Sequence, residues 1–108
     1  MIVGAAAVEL HVHGSRSLKE KRGVVRSLTQ RVRNRFNLGA AEVGGQDTWQ
    51  RAVLGLVAVG AEAVPVRRLL ERAIEFIEAQ HLAEVTSSEV EIVQMPYVES
   101  YADDEPED

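Results

Sequence analysis

The chain has 108 residues, of which 45% are hydrophobic, 27% charged and 5% aromatic, with 17 acidic against 12 basic side chains for a formal charge of −5. That length supports one core of two packed layers and no second independent domain. The absence of cysteine excludes disulfide scaffolds, Cys-ligated zinc, iron–sulfur clusters and thiol nucleophiles.

Residues Ile2, Gly4, Ala6, Val8, Leu10 and Val12 alternate with Val3, Ala5, Ala7, Glu9 and His11, a period of two with one fully apolar face, which predicts a strand. HGSRS then turns the chain, and Ser17 followed by Glu20 has capping-box spacing, so a helix is expected from about Leu18. Its apolar stripe is Leu18, Val25, Leu28, Val32 and Phe36, and Asn37 with Gly39 marks its end. Leu38 to Val43 reads as a short strand, GGQDT as a turn, and Ala52 to Val59 as the return strand of a hairpin. Pro65 suits the first position of a second helix that buries Val66, Leu69, Leu70, Ala73, Ile74 and Ile77 and ends near Gln80. Val85 to Met95 alternates again until Pro96 stops it.

The order strand, helix, strand, strand, helix, strand predicts an α+β ferredoxin-like βαββαβ domain over residues 1–98. Right-handed crossovers put both helices on one face of a four-stranded antiparallel sheet, with the first and third strands central. Residues 99–108 hold six acids and little to bury, and are expected to form a flexible acidic tail. No apolar run approaches the ~20 residues of a membrane span, and the N-terminus lacks a basic n-region, so the expected location is the cytoplasm with no membrane partner.

Charge is strongly segregated. Residues 16–35 contain eight of the twelve bases and one acid, Glu20, which gives this segment +7 and leaves −12 for the rest. On a helical wheel Lys19, Arg22, Arg26 and Arg33 fall within about 60° of one another beside the apolar stripe, spanning ~21 Å along the axis. This ridge is mostly arginine, whose guanidinium fork holds phosphate oxygens bidentately, so a structured RNA backbone is a candidate ligand. Arg16 and the amides around Ser17 add an expected anion site at the helix N-terminus.

Three further groups stand out. QDTWQR sets Asp47, Trp49, Gln50 and Arg51 in a loop after two glycines, as a ligand or interface site. The competing reading has Trp49 closing the core and Asp47 capping the turn and pairing with Arg51. On the sheet face away from the helices, Val3, Ala5, Ala7, Val53 and Val57 make a surface of small apolar residues where a polar one belongs. A second subunit or the acidic tail is expected to cover it, the former as a homodimer through sheet or edge contacts. Glu9, His11 and His13 share one side of the first strand, but without a persuasive third ligand they read as the polar end of that face, with no metal or other cofactor expected.

The stretches SRSLKEKR at Ser15 to Arg22, RNRFN at Arg33 to Asn37, AEVG at Ala41 to Gly44 and QDTWQRA at Gln46 to Ala52 resemble the YlxP-like family of small bacterial proteins, with similarity extending to about Met95. The resemblance implies a ferredoxin-like fold and supplies no reaction. It also implies a genomic neighbourhood of translation and ribosome-maturation genes. With no Walker loop, HExxH or GxSxG, a non-enzymatic module is expected, binding ribosomal RNA or its precursor through the first helix. The alternative is a scaffold for another protein of the translation machinery, and a small hydrolase or transferase is the weaker third reading.

Overall fold

The computed structural model describes residues 1–97. Strand β1 (Ile2–His11) leads into helix α1 (Leu18–Arg35), hairpin strands β2 (Gly39–Gly44) and β3 (Arg51–Gly60), helix α2 (Ala63–Ala79) and strand β4 (Glu84–Gln94). The sheet order is β2-β3-β1-β4, and all three strand pairings are antiparallel. This is the ferredoxin-like arrangement expected from the element order, with β1 and β3 central. The acidic-tail assignment for 99–108 lies outside the described residues.

Alternation decides which side of the sheet meets the helices. Ala6, Val8 and Leu10 of β1 and Ala52, Leu54, Leu56 and Ala58 of β3 are buried against Val25, Leu28 and Val32 of α1 and Val66, Leu70, Ala73, Ile74 and Ile77 of α2. Burial of each large aliphatic side chain contributes roughly 1.5–3 kcal/mol. Gly4 belongs to the same buried face, and a Cβ there would stand 2.5 Å from Val66 Cγ1 and 2.8 Å from Leu70 Cδ1. The sheet and α2 touch too closely for a side chain. Gly4→Ala is therefore expected to cost about 1–3 kcal/mol by overpacking, read as a lower denaturation midpoint.

Two local details differ from the sequence expectation. The Ser17 hydroxyl accepts from the Glu20 amide at 3.1 Å as a capping box requires, but the Glu20 carboxylate reaches one residue further back and accepts from the Arg16 amide at 2.7 Å. Helix α2 begins at Ala63, so Pro65 is its third residue rather than its first. Amides in the first turn have no carbonyl partner within the helix, so proline is tolerated there too.

Candidate nucleic-acid interface

Helix α1 packs its stripe on the sheet beside β2, and its basic ridge forms one wall of the resulting groove. Arg22, Arg26 and Arg33 line this groove, with Thr29, Gln30 and Glu42 among its other residues, and its volume is about 380 Å³. Lys19, Arg22, Arg26 and Arg33 are all exposed. Among the described residues the acids that form ion pairs are Glu9, Glu42 and Glu84, and none of them pairs with these four bases. Arg33 also donates to the Ala40 carbonyl, which fixes its guanidinium over the β2 edge.

The other bases of the segment do different work. Arg31 donates to Gln80 Oε1 at 2.8 Å and Arg35 lies 5.3 Å from the centre of the Phe76 ring, so both tie α1 to α2. Arg16 is exposed, and two of the amides beside it are engaged by side chains of the same turn: the Arg16 amide donates to Glu20, and the Glu20 amide to Ser17. A carboxylate of the chain itself therefore occupies the positive end of the helix.

Lys21 departs furthest from the sequence reading. It is fully buried, and its Nζ donates to the carbonyls of Gly45 at 2.5 Å and Arg51 at 3.1 Å while lying 3.4 Å from Glu42 Oε2. The contact with Glu42 is an ion pair without hydrogen-bond geometry, since this oxygen accepts no hydrogen bond. Lys21 thus pins the base of the β2–β3 loop. Thr48 Oγ1 reinforces the closure, lying 3.0 Å from the Gly45 carbonyl and 2.9 Å from that of Arg51. Gly45 has φ +76°, and a Cβ there would meet the Arg51 carbonyl at 2.7 Å, so the turn requires glycine.

This clamp corrects the reading in which Trp49 closes the core. Trp49 is 57% exposed at the loop tip. Asp47 is exposed and does not pair with Arg51, whose guanidinium binds Glu9 instead. The Ser87 hydroxyl, 2.6 Å from Glu9 Oε2, and then Arg51 hold the Glu9 carboxyl below its ordinary value of 4.5. Gln50 turns back toward β1, its amide nitrogen donating to the Ser15 carbonyl at 3.2 Å and its Oε1 lying 3.3 Å from His11 Nε2. His11 and His13 face each other and Glu84, whereas Glu9 is engaged elsewhere.

The open sheet face is built as its alternation requires. Val3 pairs with Val59 and Val93 across the central strand, and Ala5 with Val57 and Glu91. Ala5, Ala7 and Val57 are exposed, Val3 and Val53 partly so, and Val59 is 64% exposed. Glu89 and Glu91 border this apolar surface on β4.

No helix among the described residues is long and apolar enough to cross a membrane. The family model described as "Protein of unknown function (DUF503)" matches residues 3–90, from β1 into β4. The chain is also 40% identical over 78 residues to "Uncharacterized protein YlxP" of Bacillus subtilis, an alignment covering 72% of this chain and 85% of that one. With the βαββαβ fold in place and the match running through the basic helix and the clamped loop, the chain belongs to the DUF503 family of YlxP-like proteins.

Proposed function

We propose that this protein is a non-enzymatic module that binds the phosphate backbone of structured RNA, ribosomal RNA or its precursor, in the groove between α1 and β2. The observation that carries this reading is the row Lys19, Arg22, Arg26 and Arg33, exposed along one helix edge with no acidic partner among the described residues. Guanidinium groups lining a groove, one of them held by the Ala40 carbonyl, suit phosphate oxygens. The open sheet face offers alanine, glycine and valine in place of stacking aromatics, so recognition is of shape and phosphate rather than of base sequence. Affinity capture from a lysate with and without nuclease is the test. Ribosomal RNA recovered from the untreated sample and lost after nuclease is the expected result. Nuclease-resistant capture of an acidic protein would favour the scaffold reading, and recovery of neither would overturn both.

Self-association through the open sheet face is the second part of the proposal, supported by exposed Val57 and Val59 beside Ala5 and Ala7. An apolar surface of this kind is stabilised by a second copy of the same face. Light scattering at micromolar concentration is expected to give twice the chain mass of 11.9 kDa, and Val57→Glu to return it to that mass. A wild-type protein of 11.9 kDa would remove the dimer.

A further inference from the structure

The end of the sheet beyond Leu10 contains a device that strand alternation does not reveal. Along the β1–β4 ladder Glu9 pairs with Ser87 and Leu10 with Val85, so Thr86 is an extra residue in β4 and Glu84 falls opposite His11. In a regular ladder Val85 would oppose His11, and the bulge re-aims a carboxylate into that place. His13, just past the strand, returns to the same side. One donor atom each from His11, His13 and Glu84 lie within 4.8 Å of one another.

The hydrogen bonds fix how these donors point. The Gln50 amide nitrogen is committed to the Ser15 carbonyl, so its oxygen faces His11 Nε2 and accepts that proton. In the neutral imidazole Nδ1 then carries the lone pair, and it points at His13 Nε2, 3.2 Å away. His13 Nε2 is also 2.6 Å from Glu84 Oε1. A proton on His13 Nε2 serves the His11 lone pair or the Glu84 carboxylate, but a cation between the three would satisfy all of them. Histidines that bind metals are commonly oriented by an acceptor on the far ring nitrogen, the position Gln50 holds here. Arg51, opposite His11 on β3, is neutralised by Glu9 and does not oppose a cation.

We propose that His11, His13 and Glu84 bind one divalent transition-metal ion of the zinc class, with Gln50 as a positioning residue. Two imidazole nitrogens and one carboxylate suit Zn²⁺, Co²⁺, Ni²⁺ or Cu²⁺, whereas Mg²⁺ and Ca²⁺ favour all-oxygen sets. Tetrahedral ligands at about 2.1 Å stand roughly 3.4 Å apart. His13 Nε2 must therefore back away from Glu84 Oε1, now 2.6 Å away, and slightly from His11 Nδ1 at 3.2 Å, while His11 and Glu84 close from 4.0 Å, which partly exposed side chains at a strand end allow. The fourth position is left for water. A cleft of about 480 Å³ lined by His13, Glu84, Glu78 and His81 adjoins the donors and gives the ion access.

Calorimetric titration of the untagged full chain with Zn²⁺, together with the visible spectrum after loading Co²⁺, tests the site. One Zn²⁺ per chain with micromolar or tighter affinity is expected, along with the intense Co²⁺ bands of a tetrahedral nitrogen–oxygen set. His11→Ala, His13→Ala and Glu84→Gln should each weaken binding by about 100-fold and Gln50→Ala by about tenfold, while Mg²⁺ in large excess does not compete. These side chains lie outside the core, so metal-free melting curves should match the wild type. The wild-type stoichiometry and Co²⁺ spectrum remain decisive if a variant fails to fold. No saturable uptake, or uptake that survives both His13→Ala and Glu84→Gln, would overturn the proposal.

Discussion

Lys21→Met is expected to lower stability by about 3 kcal/mol, which for a domain of this size moves the melting temperature by roughly 12–20 °C. Methionine replaces the aliphatic stem but not the ammonium. The Gly45 and Arg51 carbonyls then lose their buried donor, and the Glu42 carboxylate is left beside an apolar side chain. Breaking a buried pair by removing one partner costs about 3–5 kcal/mol, and Glu42, with a side chain 20% exposed, places the effect at the lower end. Adding Glu42→Gln to Lys21→Met should recover part of the loss, because the stranded charge is removed. Chemical denaturation of the three proteins is the measurement. A loss under about 1 kcal/mol for Lys21→Met would mean that this ammonium does not hold the loop.

The second large effect concerns the ridge. Arg22→Glu combined with Arg26→Glu changes the charge of the groove by four while touching no buried group, since both side chains are exposed and unpaired among the described residues. RNA affinity at low salt should fall by about 100-fold or more, and the slope of log affinity against log salt should shrink by about two contacts' worth. Folding stability should stay within about 0.5 kcal/mol, as is usual for surface substitutions. Arg67→Glu with Arg68→Glu on α2 makes the same charge change away from the groove and should leave RNA affinity nearly intact. Equal losses from the two pairs would assign the binding to net charge alone.

The framework was legible because each element carries its own signal. The period-two runs of β1 and β3 sort inward from outward residues correctly, and the Ser17 cap starts α1 where expected. Lys21 was hidden by its neighbours, since a run of eight bases invites one reading for all of them. Its position nevertheless held a signal: Leu18, Lys21, Val25, Leu28 and Val32 follow one another at three- and four-residue steps, so Lys21 fills the gap in the apolar stripe. The Glu84 donor had no such signal. Its place opposite His11 depends on one extra residue in a strand more than seventy positions away, and local periodicity does not report bulges. Of the two readings of Trp49, the core-closing one fails: the sole tryptophan of a small domain suggests a core residue, whereas the Lys21 clamp closes that end and Trp49 stays exposed in its loop.

Lys21, Arg31 and Arg35 have structural duties, whereas Lys19, Arg22 and Arg26 are exposed with no partner among the described residues and Arg33, held at the Ala40 carbonyl, completes their row. Titration of binding to total ribosomal RNA over a salt series from about 50 mM tests this division most directly. Four phosphate contacts predict a straight line of log affinity against log salt with a slope of about −3 to −4. A flat line, or no detectable binding at the lowest salt, would contradict it.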